Sequence, residues 1–429
     1  MRVLGTDGKF TGYHWRLLAF LSVATFFEGY DFMALTQILP ELRKDFGLDR
    51  TAGGLLVGII NVGTVLAYVL IRKADHWGRR RVLTVTIAGY TLFTGLSGLA
   101  PNVWWFGGLQ LIARVFLIAE WATSFVIAAE EFPAAKRGMV IGIIQAFVSA
   151  GAIACAGVVP LLKKLAPEVG PAFLWLPEGT DYRWRIVYFV GVVPLLMLAF
   201  ARRNLKETQR FTDQVAAQTA APPRRSFFYI FTTRHRTRML QLGLIWFVTY
   251  LCTQNGVTFW KEFAVAEAGL SDEEVGLAIS VAAIGSLPMV FAAGKLLDVV
   301  GRRHGAAIIF GLGSLGVFLA YTLSGLWPLT AALVFGIFCA SATMPVLNAY
   351  NTELFPTDVR SDAFAWSNNL LGRIGYVLSP IAVGWIAEQV GAWGPVLQVI
   401  SVFPIIAVIL IYVLLPETKN RELEETATL

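Results

Sequence analysis

The sequence predicts an all-α membrane protein: twelve transmembrane helices in two pseudo-symmetric six-helix bundles. Three observations predict it. The 429 residues are 56% hydrophobic and only 15% charged, with a mean hydropathy of +0.62, and no soluble surface can be built from that mixture. The apolar residues fall into runs long enough for a hydrocarbon core about 30 Å thick, which needs roughly 20 helical residues per crossing. Two short charged motifs then recur in one register, since Asp75 and Asp298, and likewise Pro133 and Pro356, are 223 residues apart.

The spans follow in order. Polar Met1 to Arg16 leads straight into the first, 15–39, which is too long for a signal-peptide core and lacks a small-residue cleavage pattern. Leu55 to Ile71 makes the second, 53–73, and Val82 to Leu99 the third, 82–100; spans at 104–128, 138–162 and 184–202 complete a first half. The second half has spans at 239–260, 275–297, 304–324, 328–350, 362–388 and 393–415, the last built on Ile400 to Leu415. Ala216 to Arg225, with Pro222-Pro223 and a basic end, has linker composition. The domains are thus 1–203, a cytoplasmic linker 204–238, and 239–429 with a short cytoplasmic tail.

The repeat divides the chain. Asp75-His-Trp-Gly78-Arg79-Arg80 follows span two and Asp298-Val-Val-Gly301-Arg302-Arg303 follows span eight; Glu130-Glu-Phe-Pro133 to Arg137 follows span four and Glu353-Leu-Phe-Pro356 to Arg360 follows span ten. Leu205-Lys-Glu207-Thr208 and Leu415-Pro-Glu417-Thr418 close the halves 210 residues apart, the shortfall matching a longer loop from Lys163 to Arg183. Two six-span halves related by an axis along the membrane normal imply a substrate site near the midplane between them.

The net charge of +6 is distributed by loop and not by patch. One side carries Arg72, Lys73, Arg79 to Arg81, Lys136, Arg137 and most of the other basic residues; the opposite loops hold far fewer, among them Arg43, Lys44, Arg50, Lys163 and Lys164. The positive-inside rule puts both termini in the cytoplasm of a cell (inner or plasma) membrane, so the basic excess is an insertion signal and not a nucleic-acid surface. Cys155, Cys252 and Cys339 lie in separate spans without metal or redox spacing, and read as packing residues. His14, His76, His235 and His304 sit at loop or tail positions with neither metal spacing nor a paired nucleophile, so no enzyme, metal or cofactor is expected.

These motifs resemble the major facilitator superfamily over nearly the whole chain. Gly294 with Asp298-Val-Val-Gly301-Arg302-Arg303 matches its loop motif in full, whereas Ile71 replaces the leading glycine of the first copy. Glu130/Arg137, Glu353/Arg360 and the ending from Leu415 look like the sugar-porter and metabolite:proton symporter branch. Phe27-Glu28-Gly29-Tyr30-Asp31-Phe32, Glu120-Trp121, and Gly372-Arg373-Ile-Gly375 before Ser379-Pro380 are similar to organic-acid symporters. The resemblance implies a gating network of Asp75, Arg79, Glu130, Arg137, Asp298, Arg302, Glu353 and Arg360, latching helices by charge-assisted bonds at their ends. The alternative is that these charges only anchor loops in water.

Ionisable groups at bilayer depth are expensive and therefore functional candidates. Glu28 and Asp31 lie three residues apart in span one, and Arg114 lies near the middle of span four. Asp31 is the expected proton acceptor, with Arg114 its counter-charge and an anion site; the alternative is a static ion pair that fixes packing. Arg114 stands six residues before Glu120, where the resembling symporters have ten, so Glu120 and Glu28 are also candidate proton carriers. Arg373 is a candidate for an anionic substrate or for packing. Tyr30, Tyr250, Gln254 and Asn348 are the expected polar and aromatic substrate contacts.

The function expected is proton-coupled symport of a small polar metabolite, an organic acid first, by a monomer whose partners are substrate, protons and lipid. Alternatives are an efflux antiporter, a sugar or solute facilitator, and a non-transporting sensor.

Overall fold

The computed structural model describes residues 10–77, 79–132, 134–201, 228–356 and 359–419. The first six helices are α1 (Gly12–Asp45), α2 (Arg50–Trp77), α3 (Arg79–Ser97), α4 (Val103–Glu131), α5 (Ala134–Leu165) and α6 (Arg185–Ala201). A short α7 (Tyr229–Thr232) precedes α8 (Arg236–Thr253), α9 (Asn255–Thr258) and α10 (Trp260–Ala266), which together occupy the seventh expected span. Then come α11 (Asp272–Val300), α12 (Arg302–Ala320), α13 (Leu326–Glu353), α14 (Arg360–Phe364), a π-helical segment (Ala365–Gly372), α15 (Arg373–Val390), α16 (Gly394–Ile400) and α17 (Phe403–Leu414). All twelve expected spans coincide with helical segments, an all-α fold.

Nine helices among the described residues are long and apolar enough to cross a membrane. The three exceptions have local causes. Three arginines open α3, α6 has only 17 residues, and the seventh span breaks at Gln254. Helix starts are fixed by side-chain caps, such as Asn102 accepting from Trp105 N on α4 and a Ser271–Glu274 capping box on α11. His14 is no tail residue: it is buried, completes a capping box with Thr11 on α1, and its Nε2 lies 3.2 Å from Glu131 O.

The chain divides into two compact units, residues 1–46 with 59–224, and 47–58 with 225–429. Within the first, α1 packs most extensively on α5, and α3 on α4 and α6. Within the second, α8 packs on the π segment and α15, and α12 on α13 and α17. Shifted by half the chain, these are the same pairings: spans one and five become seven and eleven, and three with four and six becomes nine with ten and twelve. The α1–α5 contact is glycine-mediated. A Cβ on Gly29 would lie 1.8 Å from Val148 O, and one on Gly151 1.8 Å from Phe26 O, so only glycine lets these backbones touch.

Candidate functional site

In the first unit, the Gly29 contact brings α1 hard against α5 just before Asp31. Asp31 is 4% exposed and Arg114 5%, and Arg114 Nη2 lies 3.7 Å from Asp31 Oδ2. That is an ion pair, but longer than the 2.7–2.9 Å or so of a charge-assisted hydrogen bond. Arg114 Nε has no hydrogen-bond partner among the described residues, so within them the guanidinium is paired by charge and incompletely bonded. Tyr90 of α3, also buried, hydrogen-bonds Asp31. The buried hydroxyls of Tyr30 and Tyr188 have no partner among the described residues, and Tyr188 lies within electrostatic reach of both Asp31 and Arg114. Buried polar atoms are normally bonded. Here a cluster of them surrounds one ion pair.

The structure thus brings Asp31 and Arg114 together despite the short spacing of Arg114 from Glu120. Glu120 faces elsewhere: it is buried and accepts from the Thr86 hydroxyl of α3 at 2.8 Å. Glu28 is half-buried on α1, one turn before Asp31.

In the second unit, the polar cluster is built on a broken helix and a wide one. Helix α8 ends at Thr253, and Gln254 leads into the four-residue α9. Beside it, residues 365–372 are π-helical, a geometry frequent at functional sites. Tyr250 stacks on Trp246 with centroids 5.3 Å apart, and its hydroxyl donates to Asn368 Oδ1 at 2.9 Å. Tyr376 meets Tyr250 edge-on at 5.3 Å, and the Arg373 guanidinium lies 5.8 Å from the Tyr376 ring, a cation–π contact. Arg373 is 9% exposed and its Nε has no hydrogen-bond partner among the described residues. Gly372 and Gly375 permit this packing, since a Cβ would meet Trp246 Cβ at 2.6 Å and Phe247 O at 2.6 Å.

Gln254 is buried and bonds locally to Thr258 at 3.1 Å. Asn348 is exposed. Asn351, one turn further, is buried and accepts from Ser367 of the π segment at 2.9 Å. On the far side of that segment, Trp366 lies against Phe231, with centroids 4.7 Å apart and rings perpendicular. Asn368, Ser367 and Tyr90 were not expected from sequence. No motif marks a π turn, and a tyrosine within an apolar run is not distinctive.

Of the expected gating set, the side chains of Asp75, Arg79, Glu130, Arg137 and Asp298 lie outside those described. Arg302 reaches Glu353 at 2.8 Å through Nη2 and at 3.1 Å through Nε. Thr418 donates to the same carboxylate. Glu417 caps α12, accepting from the N–H groups of Arg302 at 2.8 Å and Arg303 at 2.9 Å. Burial pushes its carboxyl up, but four backbone N–H donors outweigh that and hold it below the ordinary value. Gly301 has φ +95°, and a Cβ there would lie 2.9 Å from the Glu417 carboxylate. Arg360 turns back onto Phe355 O at 3.1 Å.

Comparison with known proteins bears on what this arrangement does. The family model described as Major Facilitator Superfamily matches residues 21–264 and 242–428. A gallate transporter of Pseudomonas putida is 25% identical over 87% of this chain and 85% of its own. A cis,cis-muconate transport protein of Acinetobacter baylyi is 26% identical over 87% of both chains. Among solved structures, the inward open xylose transporter XylE of E. coli superposes with a TM-score of 0.74 at 16% identity, covering 96% of this chain and 99% of that one.

Proposed function

Because this chain belongs to the major facilitator superfamily, we propose that it carries a small organic acid across the membrane together with protons, by alternating access. It is an integral, multi-pass membrane transporter and not an enzyme. The cargo and the coupling are what is proposed.

The observation that carries the coupling is the buried Asp31–Arg114 pair at 3.7 Å. Taking two charges out of water costs several kcal/mol each, repaid only when geometry and hydrogen bonding are good. This pair is loose, and its arginine's Nε is without a partner among the described residues. Protonating Asp31 removes the anion that holds Arg114 and leaves the guanidinium for a substrate carboxylate; deprotonation reverses the exchange. One group thus makes carboxylate binding depend on a proton, which is the minimum for symport.

Two relatives are named for gallate and muconate, both unsaturated carboxylic acids. In the second unit, Arg373 offers a second cationic group, and Tyr250 with Trp246 and Tyr376 offers aromatic faces to a flat substrate. Arg302–Glu353 is assigned as a latch that forms and breaks during the cycle, the basic loops to the cytoplasm and the working protein to a monomer.

The test is proton movement into vesicles reconstituted with the protein, followed by a trapped pH dye as carboxylates, sugars and amines are added in turn. Uptake of protons with carboxylates only is expected; proton release, or transport without proton movement, contradicts symport.

A further inference from the structure

Residues 166–184, between α5 and α6, fold into a narrow loop through isolated bridges of Gly170 with Thr180 and Phe173 with Leu176. Its stem is polar and paired with itself: Arg183 lies 2.7 Å from Asp181 and 3.0 Å from Glu168. Its tip is the reverse. Phe173, Leu174 and Trp175 are 51%, 67% and 57% exposed, and no charged residue lies between Gly170 and Pro177. Leu174 has φ +54°, a conformation that branched side chains rarely adopt. Outliers of this kind persist where their surroundings impose them, and can mark a function.

Two contacts place the tip. Trp175 Nε1 donates to Leu99 O at 2.7 Å, fastening it to the turn before α4, whose first residues Trp104 and Trp105 are exposed. Behind the tip is a cavity of about 310 Å³ lined by Leu165, Pro171, Phe173, Tyr182, Ile186 and Phe189, that is, by the loop, the end of α5 and the first turns of α6. The one hydroxyl among these is already engaged, Tyr182 donating to Pro171 O at 2.8 Å. Leu161 and Leu165 continue the apolar exposure down α5.

We propose that this loop is an interfacial anchor, its tip lying at headgroup depth in the bilayer and its cavity receiving a phospholipid acyl chain. Exposed tryptophan and phenylalanine at the ends of spanning helices sit where amphipathic rings are most favourable, at the membrane–water interface. In water the tip would expose a contiguous apolar patch. The nearest apolar medium is the hydrocarbon along α5 and α6, continuous with the cavity. The stem's one cation, Arg183, is already held by Asp181 and Glu168, and no charged residue lines the cavity, so the ligand is defined by its chain and not by its headgroup. The anchor fixes the depth of the α5 and α6 ends, and does not depend on the identity of the transported solute.

The experiment uses full-length protein in lipid nanodiscs, with a nitroxide attached at Leu174→Cys and, as a stem control, at Glu178→Cys; the native cysteines are buried. Collision with oxygen should exceed collision with a water-soluble nickel chelate at residue 174, and the order should reverse at 178. Dominant nickel collision at 174 would place the tip in water and overturn the anchor. Loss of both collisions would mean that protein covers it, a second copy included, and would overturn it too.

Occupancy of the cavity is read with a phosphatidylcholine carrying a diazirine on its acyl chain. Adducts are expected within 165–189 and should be lost in Ala172→Trp, which fills the cavity that Ala172 also lines, while Glu178→Ala keeps them. Adducts that persist unchanged in a folded Ala172→Trp variant, or that never form within 165–189, contradict the acyl-chain site.

Discussion

Arg114 of α4 faces Asp31 of α1 across 3.7 Å, both side chains at most 5% exposed. Opposite charges this close offset part of the cost of taking each out of water. Arg114→Gln should therefore destabilise the protein by about 3–5 kcal/mol through the carboxylate it strands. The double variant Asp31→Asn/Arg114→Gln should recover much of that loss. Unfolding of the purified single and double variants checks it; strictly additive losses would mean that the two residues are not energetically coupled.

Helix α1 touches α5 through two glycines, each with a carbonyl where a Cβ would have to go. Gly29→Ala and Gly151→Ala should each cost more than about 1–3 kcal/mol, the usual range for overpacking, because the obstacle is backbone and not a movable side chain. Gly108→Ala on α4, where nothing lies within 4 Å, should be neutral or stabilise by up to about 1 kcal/mol through helix propensity. Thermal unfolding in detergent separates the two outcomes.

Tyr250 donates to Asn368 Oδ1 while its ring stacks on Trp246. Tyr250→Phe removes the hydrogen bond and keeps the stack, so substrate affinity should weaken about two- to tenfold, the equivalent of roughly 0.5–1.5 kcal/mol. Tyr250→Ala loses the ring as well and should weaken it further. Equal effects of the two in a binding titration would assign the role to the hydroxyl alone.

Glu417 caps α12 from the chain end, and its carboxyl is held below its ordinary value of 4.5. A lowered carboxyl stabilises the fold above the unfolded-state value and loses that contribution as pH falls through the folded-state value. Glu417→Gln should thus cost about 0.3–1 kcal/mol at neutral pH, the usual worth of an anion at a helix N-terminus. The gap should start to narrow as pH falls through the unfolded-state value of about 4.3 and close once the native carboxyl, held lower, protonates. Melting temperatures of wild type and variant between pH 7 and pH 3.5 are the measurement.

Much of this was legible beforehand, and the gaps have physical causes. Span positions follow from run length, which hydropathy reads directly, and the 223-residue register between Asp75 and Asp298 is what points to two halves. Asp31 and Arg114 stood out because charge at bilayer depth is rare. The π segment was invisible, since it differs from an α-helix in hydrogen-bond register and not in composition. That register brings Asn368 to Tyr250, so the partner of an expected residue was missed with it. Asn348 and Asn351 are polar positions one turn apart in one apolar helix, and its weak amphipathicity does not set which of them is buried. The break at Gln254 carries no proline, and Gly256 alone was too weak a signal.

The central claim is that Asp31 couples the proton to the solute, and Asp31→Asn tests it most directly. Wild type and variant, reconstituted in vesicles, are compared for counterflow of a carboxylate at equal pH and for its accumulation under an imposed pH gradient. The account predicts that the variant retains counterflow, because neutral Asn mimics the protonated, substrate-binding state, and loses gradient-driven accumulation. Accumulation by Asp31→Asn at the wild-type level would contradict it.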